Sequence, residues 1–365
     1  MGSFHWLHFS DLHLTPKVKF DTQYARARLL EFLGNEVSAG RLPCDYIFLT
    51  GDIANKGKHD SVPAFMQQLF ASLSWRKRDH VFWAAGNHDI SRENKLRSLV
   101  IGAIRSRKKE RELFEECMDD PEIREVLLDR CMGEFYRTHK EVLRKDAYSD
   151  TSVSPHEKYS LPDLNLVVLN TCITSCDEAD KENLFIRERG LQHAFEGLSG
   201  DKPTFVMGHH GREYFRMSEQ DILDSLFESD RVDLYLCGHA HRLGHTYFPE
   251  AKRHIHQITC GGGNVNKTPS KFTFIHGYYD SEDHSILIKP YSYEGNGNRR
   301  WHFDEHLHLK LDGVTKLELT SRRAEAVQEK LPGDDEHNRA TSSDPSQKKQ
   351  AEWSSAFFQI DDKQR

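Results

Sequence analysis

The sequence predicts an α/β protein built on a parallel sheet, and three observations lead there. Short apolar runs alternate with stretches of helical periodicity from Phe4 to Ala85. Each apolar run stops at a glycine or a polar residue. From Ile255 onward, strand-like alternation separated by turn residues points to antiparallel sheet. The 365 residues are enough for one large domain or two ordinary ones, with a sizeable buried core.

Taken in order, Phe4 to Phe9 is apolar and aromatic and ends at Ser10-Asp11, as a buried strand does on entering a loop. Thr22 to Leu33 carries Ala, Leu and Phe at helical spacing. Tyr46 to Thr50 reads as a second strand ending at Gly51-Asp52, Ala64 to Leu73 as a second helix, and Val81 to Ala85 as a third strand ending at Gly86-Asn87. Strand, helix, strand, helix, strand implies parallel pairing. From Arg92 to about Lys145 the chain is charged and helical in period, with a basic run from Arg105 to Arg111, and reads as an insertion over about 92–146. The strand pattern resumes at Leu166 to Leu169, Thr204 to Met207 and Asp233 to Cys237. Phe272 to Ile275, Ile286 to Ile288 and His306 to Leu309 supply the antiparallel alternation. After about Arg322 apolar residues thin out. Pro332-Gly333-Asp334-Asp335 and Lys348-Lys349-Gln350 read as disordered tail, so 1–320 is expected to be the catalytic domain and 321–365 the tail. Trp353, Phe357, Phe358 and Ile360 are an apolar exception within it.

Composition excludes several classes. No apolar run approaches the roughly 20 residues that span a bilayer, so no membrane role is expected. The net charge of -7 argues against a generally basic nucleic-acid coat. The 7 cysteines are scattered, odd in number and without a Cys-x-x-Cys pair, which fits free thiols in a reducing cytoplasm. The N-terminus has no basic region followed by an apolar stretch, which also points to the cytoplasm. The 22 histidines are roughly two to three times ordinary usage. Their positions point to metal.

Five strand ends carry metal-type ligands: Asp11-Leu12-His13, Gly51-Asp52, Gly86-Asn87-His88-Asp89, Gly208-His209-His210 and Gly238-His239-Ala240-His241. Each pair alone is common by chance. Roughly ten specified positions, each near one in twenty, all at strand ends, are not. Strand C-termini in open α/β sheets converge on the edge where ligands bind.

This set resembles the calcineurin-like metallophosphoesterase superfamily, with its D-x-H, G-D, G-N-H-D, single His and G-H-x-H motifs between Asp11 and His241. The resemblance implies a four-layer sandwich, two mixed β-sheets flanked by helices, here with the helical insertion. It implies two divalent metal ions. Asp11, His13, Asp52 and His241 would hold one, and Asp52, Asn87, His209 and His239 the other, with Asp52 bridging. Oxygen and nitrogen ligands suit Mn, Fe, Zn or Ni, with Mn favoured. His209 is expected to be the ligand of the His209-His210 pair, and Gly211 stands where family members often have Pro soon after this His. A metal-bridging hydroxide would attack phosphorus, and His88, oriented by Asp89, would bond a phosphate oxygen or protonate the leaving group. Asn55, Lys56 and His210 are candidate substrate contacts, and Gly261 to Asn264 a candidate pocket lining. Asn-His-Asp rather than Asn-His-Glu favours a phosphodiesterase acting on nucleotide-type substrates. The alternatives are a DNA-repair-type or defence-type nuclease and a non-catalytic metal-binding scaffold. The expected partners are a phosphodiester, such as a cyclic nucleotide or nucleic acid, and a protein bound through the insertion or the tail. A polyanion grip by Arg105 to Arg111 is the insertion's own candidate role.

Overall fold

Alternate residues of each central strand face two different cores. The protein is described here from a computed structural model covering residues 2–16, 20–75, 77–106, 108–176, 180–248, 255–262, 272–294, 300–305 and 316–319. Strands β1 (Phe4–Phe9), β2 (Tyr46–Leu49) and β3 (Val81–Trp83) pair in parallel. Phe4, Trp6, Tyr46, Phe48 and Phe82 point one way, and Leu7, Phe9, Ile47, Leu49 and Trp83 the other. Such unbroken apolar strands belong to a sheet covered on both faces.

Helices α1 (Phe20–Ser38) and α2 (Val62–Ser72) follow the first two strands and cover the outer face. The insertion supplies α3 (Lys95–Arg105), α4 (Glu110–Asp119), α5 (Pro121–Arg124) and α6 (Arg130–Leu143), with one wider helical turn at Glu125–Asp129. These helices join the same outer core through Ile101, Ile104, Phe114, Leu127 and Phe135.

The second sheet contains β4 (Glu157–Ser160), β5 (Asn165–Val168), β6 (Thr204–Met207), β7 (Val232–Cys237), β8 (Gly244–Tyr247) and β9 (His256–Thr259), in the order β4-β5-β6-β7-β9-β8. Leu166, Val168, Phe205, Met207, Leu234 and Leu236 face the first sheet. Val167, Val206, Tyr235 and Cys237 face α7 (Glu188–Phe195) and α8 (Met217–Ser229). Cys237 therefore points to the helix layer. Strands β10 (Thr273–Asp280), β11 (Ser285–Glu294) and β12 (Arg300–Phe303) complete the first sheet in the order β12-β11-β10-β1-β2-β3, and β13 (Lys316–Glu318) pairs with β11. The architecture is the four-layer α/β sandwich of two mixed sheets that the sequence predicts.

The alternation beyond Ile255 is antiparallel in β10, β11 and β12, but β9 is parallel to β7. Alternation reports which side chains face the core and is silent on the partner strand. The expected strand at His306 to Leu309, His254, Gly263, Asn264 and residues 321–365 lie outside the described residues. Among the described residues no helix is long and apolar enough to cross a membrane.

The two arginines at the ends of the basic run are held in ion pairs. Arg105 is paired with Asp180 at 3.1 Å, and Arg111 with Glu219 at 2.5 Å and Glu188 at 2.8 Å. These pairs fasten the insertion to the β5–β6 connection and α8.

His139 on α6 lies against the rings of Trp83 and Phe135 and donates from Nδ1 to the Lys145 carbonyl at 3.1 Å. Its Nε2 is buried without a partner. Burial pushes the ring down from 6.5 to about 4. The unfolded chain therefore takes up this proton at higher pH than the folded one, and stability is lost as pH falls from 6.5 toward 4. In metal-free protein the unfolding free energy from urea titration should drop between pH 7 and pH 5, with about 2 kcal/mol of the drop belonging to His139. His139→Phe should shrink the drop by that share. An unchanged drop would remove His139 from the acid response.

Candidate metal centre

Every candidate ligand sits in the loop that follows a parallel strand. Asp11 and His13 follow β1, Asp52 follows β2, Asn87 and His88 follow β3, His209 follows β6, and His239 and His241 follow β7. The core between the sheets brings the two sets of strand ends face to face. Backbone bonds lace the loops together: Asp11 N–H donates to the Gly51 carbonyl at 3.0 Å, His13 N–H to Asp52 at 2.8 Å and Gly238 N–H to His209 at 2.9 Å. Asp11, His13, Asp52, His239 and His241 all adopt φ between 44° and 65°, a region L-residues rarely occupy. Such outliers cluster at functional sites. Gly86 is required sterically, because a Cβ there would lie 2.1 Å from the Asp52 nitrogen.

Two groups of donor atoms result. In the first, His13 Nε2 lies 3.1 Å from His241 Nε2, His241 Nε2 lies 3.2 Å from Asp11 Oδ1, and His13 Nε2 lies 3.7 Å from Asp52 Oδ2. In the second, His209 Nε2 lies 3.1 Å from both Asn87 Oδ1 and His239 Nδ1, and 3.4 Å from Asp52 Oδ2. Asp52 Oδ2 thus belongs to both. Its Oδ1 is occupied by the His88 N–H at 2.6 Å.

The donor set fits two divalent cations. Donors about 2.0–2.2 Å from a common ion stand roughly 3–3.5 Å apart, as these do. The Thr50 carbonyl accepts the His209 Nδ1 proton at 2.8 Å, so Nε2 is the ring nitrogen turned inward, where a cation would take the place of its proton. Imidazole Nε2 atoms facing each other at 3.1 Å, as in His13 and His241, suit a shared cation. Burial would lower His209, but the carboxylates of Asp52 and Asp11 overcome it and push the ring up to about 9. Burial also raises Asp52, and the surrounding imidazoles hold it well below the ordinary carboxylate range. The field in this cluster attracts positive charge. No thiol takes part, so ligand chemistry alone does not select among Mn, Fe, Zn and Ni.

The other candidates have distinct surroundings. His88 Nδ1 meets Asn55 Oδ1 at 3.2 Å, and its ring stands edge-on to His13. Asp89 does not orient His88. It is fully buried, and its two oxygens accept the Ala54 N–H at 2.7 Å and the Gly86 N–H at 2.8 Å. Burial raises its carboxyl to about 7. The expectation that Asp89 steers the histidine is corrected: Asn55 holds that place, and Asp89 ties the Asp52 loop to the Asn87 loop. His210 is buried, with Nδ1 on Thr171 Oγ1 at 2.9 Å and its ring 4.5 Å from His239. A ring nitrogen of His210 lies within 4.8 Å of donor atoms of His209 and His239, so His210 belongs to the same candidate metal-binding group. Sequence reasoning missed Thr50, Thr171, Tyr214 and Arg92. Tyr214 stands edge-on to His239 at 4.5 Å, and Arg92 Nη1 approaches the Asn87 amide at 3.3 Å. Only Arg92, four positions after His88, offered a local cue.

The calcineurin-like phosphoesterase family model matches residues 4–243, and the chain belongs to that family. Over 245 residues it is 28% identical to the uncharacterized metallophosphoesterase-like protein YydB of Bacillus subtilis strain 168, covering 65% of this chain and 48% of the relative. The chain thus spans about half the length of that curated relative. Among solved structures, the purple acid phosphatase PPD1 from yellow lupin (Lupinus luteus) seeds matches with a TM-score of 0.47 and 11% identity, over 83% of this chain and 53% of that one. GAP50, described as the anchor in the inner membrane complex of Plasmodium, matches with a TM-score of 0.43 and 12% identity, over 91% and 95%.

Asp89→Ala strips two buried N–H groups of their acceptors. It should destabilise the protein by about 2–4 kcal/mol in urea unfolding and weaken metal binding as the two loops separate. His88→Ala should leave stability within about 1 kcal/mol of wild type. Equal stability of the two variants would contradict the clamp role of Asp89.

Proposed function

We propose that the protein is a dinuclear-metal-dependent phosphodiesterase acting on nucleotide-type substrates, with manganese the favoured ion. The observation that carries this reading is the position of Asp52 Oδ2, 3.7 Å from His13 Nε2 and 3.4 Å from His209 Nε2. One carboxylate oxygen shared by two nitrogen-rich donor groups is what a pair of closely spaced cations needs. Two ions bound there draw charge from the phosphate oxygens and lower the pKa of a water, which supplies a nucleophile at neutral pH.

The chain's own groups do the rest. Asp11, His13, Asp52 and His241 would hold one ion, and Asp52, Asn87, His209 and His239 the other. Asn55 fixes the His88 ring through Nδ1, which leaves Nε2 as the nitrogen that exchanges a proton with the leaving oxygen. Burial pushes His88 down to about 4, so the ring meets the substrate neutral, with its Nε2 free to accept a proton from the attacking water and pass that proton to the leaving oxygen. The Asn-His-Asp sequence at Asn87 to Asp89 supports the diester preference. Ion pairs engage Arg105 and Arg111, the two ends of the basic run on the insertion. The seven cysteines form no disulfide among the described residues, in keeping with the proposed cytoplasmic setting.

Metal-stripped protein should hydrolyse bis-p-nitrophenyl phosphate once Mn is added back, faster than p-nitrophenyl phosphate. His88→Ala should lower kcat about 10²–10⁴-fold while the protein still binds its metal. Asn55→Ala should lower it about 10-fold or more by freeing the ring. Cleavage of the monoester alone would make the protein a phosphatase. No turnover with any metal, in protein that binds two ions, would make it a scaffold.

A further inference from the structure

Arg26 breaks the pattern of its own helix. On α1, Thr22, Ala25, Leu29 and Leu33 are buried at the spacing of one helix face. Arg26 joins that stripe and is only 8% exposed, at a position where an apolar side chain would pack. Burial pushes its guanidinium down to about 10, so the group is still charged at neutral pH. Among the described residues no carboxylate forms an ion pair with it. A buried charge without a counter-charge is tolerated only where it is hydrogen-bonded.

Two backbone carbonyls supply those bonds. Arg26 Nη2 donates to the Leu12 carbonyl at 2.5 Å and to the His13 carbonyl at 3.2 Å. Its Nε is buried without a partner, so the side chain is not placed there for its own satisfaction. The loop after β1 explains the need. His13 N–H donates to the Asp52 carbonyl and Leu14 N–H to the Ile53 carbonyl, each at 2.8 Å. The N–H groups are thus engaged by the loop after β2, while the Leu12 and His13 carbonyls are left for α1. His13 also sits at φ 44°, in the left-handed region. A histidine leaves that region by turning its peptide groups, and its ring swings with them. A carbonyl held by a guanidinium resists that turn. The ring concerned is the one whose Nε2 lies 3.1 Å from His241 Nε2.

We propose that Arg26 is the positioning residue of the first donor group: by holding the Leu12 and His13 carbonyls it keeps His13 in its left-handed conformation and its Nε2 beside Asp11, Asp52 and His241. Arg26 acts through the backbone of His13 and supplies no ligand atom. The second donor group has no bond to Arg26 and takes its orientation elsewhere, as His209 does from the Thr50 carbonyl at 2.8 Å. The two halves of the centre therefore answer to different supports, and only the first depends on α1. The inference rests on the metal-centre reading above and extends it to how each ion is held.

The test measures binding and needs no turnover. Mn is titrated into metal-stripped protein by calorimetry, and the loaded protein is read by electron paramagnetic resonance. Wild type should take up two ions and show the spectrum of a coupled pair. Arg26→Met should bind one ion with wild-type affinity and the other about ten- to hundred-fold more weakly, with the six-line signal of a lone ion at intermediate Mn. Arg26→Lys, which keeps the charge and a donor tip, should recover most of the lost affinity and the coupled spectrum. If Arg26→Met does not fold, Arg26→Gln carries the same expectation, because its amide is too short for both carbonyls. Equal weakening of both ions would overturn the proposal and make Arg26 a packing residue. So would a failure of Arg26→Lys to restore the first ion. Wild-type protein that binds no Mn would overturn the metal-centre reading, and this one with it. Wild-type protein that binds two ions whose affinities ignore Arg26 would overturn this inference alone.

Discussion

The Asp52 carboxylate is the fixed point of the structure. It is 1% exposed, bonds the His88 N–H through Oδ1 and presents Oδ2 to donor atoms from both sheets. A buried carboxylate is tolerated only when it is paired or hydrogen-bonded. Here the compensation comes from side chains on loops that leave two different sheets. Those loops must end within a few ångströms of one another, so the spacing of the sheets is constrained as tightly as the site. The core of Trp6, Phe48, Phe82, Phe205, Met207 and Leu236 sets that spacing. Side chains that look remote from the chemistry are thereby part of its geometry.

The price of this convergence is backbone strain. Five ligand-type residues sit at positive φ, each on the order of 1–2 kcal/mol above an ordinary conformation. The strain is distributed among bonds that hold the loops closed. His239 N–H donates to Asp11 Oδ2 at 3.0 Å, and Leu14 N–H to the Ile53 carbonyl at 2.8 Å. Asp89 adds the clamp between the second and third loops. These bonds join the ligand-bearing loops of both sheets to one another.

Much of this was legible in the sequence for a physical reason. Strands buried on both faces need unbroken apolar runs, and ligands at their ends need polar residues directly after them. That rule marks Asp11, His13, Asp52, His209, His239 and His241 as polar residues at strand ends, and the family resemblance supplies their role as ligands. The roles of Asp89 and Asn55 did not follow. Both are short polar residues on adjacent loops, and only the folded distances show that one meets backbone N–H groups and the other an imidazole. Thr50 acts through its carbonyl, which no residue type announces. The parallel pairing of β9 with β7 was hidden because alternation encodes faces and not neighbours.

The helical insertion was the least legible segment, and its role follows from one buried side chain. Arg97 on α3 is fully buried and spends its guanidinium on the carbonyls of Leu127, Cys172, Ile173 and Ser175. Leu127 belongs to the insertion, while Cys172 to Ser175 belong to the segment after β5. That segment begins at Thr171, whose hydroxyl holds His210, and His210 packs against His239. A buried arginine that satisfies four carbonyls is costly to displace. The insertion therefore bears on the second donor group through a chain of direct contacts: Arg97, the Cys172 backbone, Thr171, His210, His239. It follows α3 directly from the loop of Asn87, His88 and Arg92, so both ends of that chain meet at the same half of the centre. An insertion fastened in this way, and packed into the outer core through Phe114, Leu127 and Phe135, acts as a brace for that half.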